Sequence, residues 1–257
     1  MADALTIVVV YPELMGTYGD GGNAVALRAR CTRRGIDAEV LPVHAPDPVP
    51  RAADVYLIGG AENASQTTAA ELLIAEGGLR AAAERGATVL GICGGYQVLG
   101  EWVQDADGAT TGGLGLLDVR SSPLSARAVG DLGVRVEGLP ELAGFENHAY
   151  GTALGADAAP LGAVVAGGVG NGLEHVGGPD PVDSDFVETV AYEGAVQGRV
   201  VGTYLHGPLL ALNPDFADHL LRPIVGELAP LDDPIAAEAR DVRRVSITRR
   251  ASGSRRP

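Results

Sequence analysis

The chain has no lysine and only two cysteines, Cys31 and Cys93, in 257 residues. Two cysteines cannot build a disulfide framework or a four-cysteine zinc site, and no His/Cys/acid cluster has ligand spacing, so no metal is expected. Such cysteine usage fits a reducing, cytoplasmic setting. No apolar run approaches the roughly 18 residues of a membrane span. The opening MADALTIVVVYPE has Asp3 and no basic residue ahead of its short apolar stretch, so it reads as a first core strand rather than a signal peptide. A phosphate-cradling loop of the form G-x-x-x-x-G-K-[ST] is missing, so ATP chemistry is not expected on this polypeptide. Basic character is also short overall. A formal charge of -14 argues against nucleic acid as a partner.

What is present is a core-forming composition, 46% apolar, patterned as β-branched runs alternating with Ala/Leu/Arg-rich segments. The pattern predicts strands at 5–10, 38–41, 54–58 and 88–92, and helices at 24–34, 68–85 and from Tyr96 to Trp102. Further strands are expected at 133–137, 161–165, 189–192 and 200–204, with a closing helix from Phe216 to Leu221. The fold class is α/β, with a mostly parallel central sheet. One domain is expected over 1–239. Residues 240–257 hold seven arginines against one aspartate and read as a basic, flexible tail, or as a contact for an acidic partner or anionic surface.

The chemistry concentrates in GICGGYQ. Gly91-Ile92-Cys93-Gly94-Gly95 has small residues two positions either side of a cysteine, the spacing of a strand-to-helix elbow that exposes a nucleophile. A helix N-terminus is expected to lower the thiol's pKa, and the Gly94 N–H is available to an oxyanion. The plainer alternative is a buried structural cysteine in a glycine-rich turn. A thiolate performing acyl transfer wants a histidine. His206, after the apolar run VVGTYL, falls at a strand's C-terminal end, the edge to which the strand before Cys93 also points. His44, His175 and His219 read as structural or solvated, and His148 in FENHAYG as a loop histidine. Asp20 and Asn23 in YGDGGN read by default as caps of the first helix.

Together, GICGGYQ and GTYLHGP resemble the class I glutamine amidotransferases of the cobyric acid synthase type. YPELMGTYGDGGN, GLGLLD, GFENHAYGT and TYLHGPLL narrow the likeness, over about Tyr11 to Leu221, to the glutaminase subunits of lipid II isoglutaminyl synthases. The resemblance implies a flavodoxin-like three-layer fold. It implies Cys93 as nucleophile, His206 as proton shuttle, Gly60 and Gly94 as oxyanion donors, and Arg127 as the holder of glutamine's α-carboxylate, with Arg120 its competitor. It implies L-glutamine as substrate, and a heterodimer with a MurT-type, Mur-ligase-like subunit that carries ATP and Mg and brings the chain near the inner membrane face. One departure stands out. Many such enzymes place an acid two residues after the histidine, where this chain has Pro208; another acid of this chain, a main-chain carbonyl or a partner must then orient the ring. Amidation of another acceptor, such as a corrin carboxylate, and a non-catalytic flavodoxin-like binding domain remain the alternatives.

Overall fold

The computed structural model describes residues 4–172 and 191–253, with side chains up to residue 244. The β-branched runs form the strands of a first sheet: β1 (Leu5–Val10), β2 (Ala38–Val43), β3 (Val55–Ile58), β4 (Thr88–Ile92), β11 (Ala195–Gln197) and β12 (Val200–Thr203). Their order is β11-β12-β4-β3-β1-β2, and all neighbours are parallel except the β11/β12 pair. Strands β3, β4 and β12 are buried at every position, as expected when a parallel sheet is covered on both faces. From β1 the chain steps outward to β2 and then returns to β3 on the other side. That reversal opens a crevice beyond the C-terminal strand ends, where ligands bind in open α/β sheets.

Helices α1 (Gly22–Thr32), α2 (Asn63–Glu76), α3 (Gly78–Glu84) and α4 (Gly94–Leu99) follow these strands, and α5 (Leu209–Leu212) and α6 (Pro214–Val225) follow β12. The single helix expected over 68–85 is two. Gly77 takes a left-handed φ of 69° that ends α2 through its N–H to the Leu73 carbonyl and starts α3 in a new direction. The helix expected to reach Trp102 stops at Leu99, because Trp102 opens a strand instead.

A second sheet accounts for most of the remaining chain. It contains β5 (Trp102–Gln104), β6 (Thr110–Gly112), β7 (Val119–Arg135), β8 (Leu142–Leu154), β9 (Gly162–Gly167) and β10 (Tyr192–Glu193). The expected strand at 133–137 is only the end of β7, which pairs antiparallel with β8 in a long hairpin interrupted between Pro123 and Ala128. Of the strand expected at 189–192, residues 189–190 lie outside the described residues, as does His175. An antiparallel bridge between Phe145 and His206 docks the hairpin against the end of β12.

The expected boundary at 239/240 falls inside α7 (Pro234–Gly253). Arg240 pairs with Asp215 at 3.0 Å and Arg243 with Asp131 at 2.6 Å, so this part of the basic segment packs on α6 and β7 rather than trailing free. The acidic groups of the body supply the physical reason. Residues 254–257 lie outside the described residues.

Candidate active site

Cys93 leaves β4 and opens α4 with φ 52° and ψ -106°, a conformation that L-residues avoid. Its glycine neighbours make this possible. A Cβ on Gly91 would stand 2.7 Å from the Gly95 carbonyl carbon, and one on Gly95 would overlap the Ile58 carbonyl. The cysteine N–H donates to the Thr203 carbonyl at 2.8 Å, which ties the elbow to the strand delivering His206.

Only 6% of Cys93 is exposed, and burial pushes its thiol up to about 12. The charge of Asp20 pushes the same way, while the Gly94 N–H and Arg127 pull it down. This reverses the expectation of a depressed pKa. The six residues of α4 give a short helix, and its N-terminal field is outweighed by the loss of solvent around the sulfur. The resting group is a thiol, with Sγ 3.9 Å from the Asn147 carbonyl. Turning it into a nucleophile requires a base.

His206 is completely buried, and among the described residues its Nε2 has no hydrogen-bond partner. Phe145 stacks on the ring at a centroid distance of 5.3 Å, and Tyr18 meets it edge-on at 5.0 Å. The Tyr18 hydroxyl donates to Glu62 at 3.0 Å, so the loop after β1 reaches across the loop after β3. The guanidinium of Arg243 lies 5.8 Å from the centre of the Phe145 ring, which links α7 to the same corner.

Asp20 and Asn23 do not cap α1, whose N-cap is Gly21 and which has no side-chain cap. Asn23 instead accepts the Leu210 N–H at 2.9 Å, and Asp20 turns inward, with Oδ1 3.3 Å from His206 Nδ1 and Oδ2 accepting the Gly60 N–H at 2.8 Å. Gly60, expected to face an oxyanion, therefore has its N–H engaged by a carboxylate. A hollow of about 290 Å³ adjoins this group, with Asp20, Gly59, Ile58 and Ile92 in its wall.

Arg127 lies in the irregular stretch of β7, exposed, and its Nε donates to Asn147 Oδ1 at 2.8 Å. Asn147 thus faces Arg127 with its side chain and Cys93 with its carbonyl. Arg120 is drawn elsewhere, to Glu101 at 2.6 Å and Asp118 at 3.2 Å. The remaining described histidines have other partners. His44 pairs with exposed Glu13 at 2.9 Å, His219 is exposed on α6 near Phe216, and His148 is a buried strand residue rather than a loop one. Asn147, Tyr18, Glu62 and the inward turn of Asp20 escaped sequence reasoning. The signal available was position, because YGDGGN follows a strand whose C-terminal end shares an edge with those of β4 and β12.

A thiol on a strained elbow and a buried imidazole just beyond the end of the adjacent parallel strand form a candidate site of the kind an α/β amidotransferase needs. The chain belongs to the family of CobB/CobQ-like glutamine amidotransferase domains, which it matches over residues 6–214. Within that family it is similar to the GatD subunit of lipid II isoglutaminyl synthase from Staphylococcus aureus, at 34% identity over 84% of this chain and 83% of the relative. GatD of Streptococcus pneumoniae is 32% identical over 84% of this chain and 79% of its own length. Cobyric acid synthase of Azorhizobium caulinodans is 34% identical, but the match spans only 32% of that protein. A glutamine amidotransferase of known structure from Thermotoga maritima superposes with a TM-score of 0.51 at 15% identity over 95% of this chain and 93% of its own, a likeness of fold.

Proposed function

We propose that this chain hydrolyses L-glutamine and passes the ammonia to a Mur-ligase-like partner, which amidates the D-glutamate α-carboxylate of lipid II. Cys93 Sγ attacks the side-chain amide carbon while its proton moves to His206. The imidazolium then protonates the departing nitrogen as the C–N bond breaks, releasing ammonia and leaving a γ-glutamyl thioester. Water, deprotonated by His206, attacks the thioester, and glutamate leaves as the sulfur is reprotonated. The Gly94 N–H stabilises the oxyanion of each tetrahedral adduct, where charge develops only near the transition state. Arg127 holds the substrate's α-carboxylate, a role that suits a planar fork of donors.

The observation that carries this reading is that strained, buried Cys93 and buried His206 follow the ends of the adjacent parallel strands β4 and β12, with His206 Nε2 lacking a partner among the described residues. Coverage of the relatives favours the lipid II acceptor over a corrin, since the likeness spans 83% of a GatD subunit but 32% of a cobyric acid synthase. ATP and Mg²⁺ belong to the partner in this scheme. Among the described residues no helix is long and apolar enough to cross a membrane, and we place the chain in the cytoplasm, brought to the inner membrane face by the partner's lipid-linked substrate.

The test is ammonia release from glutamine, with and without the ligase subunit, against a Cys93→Ala control. Activity that is greater in the assembled form and absent from the control supports the proposal. Activity that survives the Cys93→Ala change, or no release from either form of the wild type, sinks it.

A further inference from the structure

We propose that Arg243 of α7 is a positioning residue for His206 and acts on it through the ring of Phe145. The inference rests on the glutaminase reading above. Helix α7 lies outside residues 6–214, the stretch matched to the family, and the chemistry proposed above gives it no task.

His206 lies beyond the end of β12, and its main chain is held there by the β7–β8 hairpin. The His206 N–H donates to the Phe145 carbonyl at 2.8 Å, and the Phe145 N–H donates back to the His206 carbonyl at 3.3 Å. Gly144 permits this approach, since a Cβ on it would stand 2.8 Å from the His206 carbonyl oxygen. The Phe145 ring stacks on the imidazole with an angle of 21° between the planes. Whereas the imidazole is fully buried, Phe145 is only half-buried, so the core alone does not fix its rotamer.

Arg243 supplies the missing restraint. Phe145 on β8 and Asp131 on β7 are directly opposite in the hairpin register, so their side chains share a face. Arg243 Nη1 donates to Asp131 Oδ1 at 2.6 Å, and the central carbon of the same guanidinium lies 5.8 Å from the centre of the Phe145 ring, within cation–π reach. One planar cation thereby holds both members of a cross-strand pair. Its neighbour on α7, Arg240, grips Asp215 of α6 instead. The hairpin also has an anchor that owes nothing to α7: the Asn213 side chain accepts the Ala143 N–H and donates to the Ala143 carbonyl, each at 2.9 Å. Loss of Arg243 therefore leaves the hairpin docked and frees the ring. In the proposed chemistry His206 takes a proton from Cys93 and gives it to the departing nitrogen, and both transfers need the imidazole kept in one orientation.

The test is a double-mutant cycle in the assembled enzyme. Arg243→Gln is expected to lower kcat for glutamine hydrolysis, per folded molecule, by about tenfold with KM within about threefold, the signature of a reacting group held less well rather than of lost binding. Phe145→Leu should cost at least as much, and adding Arg243→Gln to it should cost less than about twofold more, because the arginine acts through the ring. Arg240→Gln, which releases α7 from α6 only, should stay within about threefold of wild type. The ring-current shift that Phe145 imposes on the His206 ring protons should shrink in Arg243→Gln and persist in Arg240→Gln. A kcat for Arg243→Gln within about twofold of wild type, full additivity with Phe145→Leu, or an equal loss in Arg240→Gln overturns the proposal. If the wild type releases no ammonia at all, the glutaminase reading fails, and the His206 ring resonances still decide whether Arg243 holds Phe145 on the imidazole.

Discussion

His148 and His206 are both buried, both face a carboxylate, and both stack on an aromatic ring, yet their surroundings differ in one decisive respect. His148 lies on β8, where Nδ1 donates to the Tyr150 carbonyl at 2.5 Å and Nε2 faces Glu146 at 3.4 Å. Glu146 in turn accepts the N–H groups of Val169 and Gly170, and the Tyr204 ring covers the imidazole at 3.8 Å. Every polar atom of that pair has a neighbour, so it can fix a conformation but has no atom left to offer a substrate. His206 keeps its Nε2 without one. Burial and a nearby acid are common to both histidines; the unengaged nitrogen is what sets His206 apart.

The largest effect that could break this comparison comes from His206 itself. In the mechanism proposed above, His206→Asn removes the base and acid together and is expected to lower glutamine hydrolysis by about 10³-fold, within the range for a lost proton-transfer group. Steady-state rates in the assembled enzyme measure it. A loss of less than about tenfold would mean that another group moves the proton and that the unengaged nitrogen is incidental.

Much of the His206 side is legible in the amino-acid pattern. Apolar runs of strand length mark β1, β3, β4 and β12, and parallel strands must bring their C-terminal ends to one edge, so pattern alone places Cys93 and His206 together. The His148 side is not legible in this way. The β7 stretch VRSSPLSARAVGDLGVR contains Pro123, two glycines and scattered charges, and only its end alternates clearly; its length is set by pairing with β8, by β9 and by α7. Asp20 misleads for a related reason. Capping is a local rule, and here it is overruled by partners distant in sequence, His206 and Gly60. The thiol shows local logic failing again, since the helix end is visible in GGYQ while the burial that outweighs it is a property of the whole fold.

The buried network around His148 offers a second, smaller test through Glu193. This carboxyl is fully buried on β10, accepting from the Thr203 hydroxyl at 2.9 Å and the Tyr204 N–H at 2.6 Å. Burial, with the nearby charge of Glu146, pushes its pKa up to about 7 from the usual 4.5, despite those donors. The folded state therefore holds this proton to higher pH than the unfolded chain does. Stability from this group is fully present below about 4.5 and is lost as pH rises through about 7, a change on the order of 3 kcal/mol. Glu193→Gln should flatten that slope, so that urea midpoints at pH 5 and pH 8 lie closer together than in the wild type. Equal pH slopes in both proteins would show that Glu193 is ionised in the fold and that the network is more open than its geometry indicates.

The smallest effect is the one that most sharpens the contrast. His148→Asn removes the ring that Tyr204 stacks on and leaves the Tyr150 carbonyl and Glu146 with a shorter, imperfect partner. The expected cost is about 2 kcal/mol of folding stability, typical for a disrupted buried hydrogen-bonding group. Because Asn147 presents its carbonyl to Cys93 and its side chain to Arg127 from the neighbouring position, some loosening of the site should follow, raising KM for glutamine rather than abolishing turnover. Urea unfolding and steady-state kinetics on the same preparation separate the two effects, with kcat per folded molecule expected within about threefold of wild type. If kcat instead falls as far as it does for His206→Asn, while the protein remains folded, the imidazole of His148 belongs to the proton path. The division between a structural and a chemical histidine would then have to be abandoned.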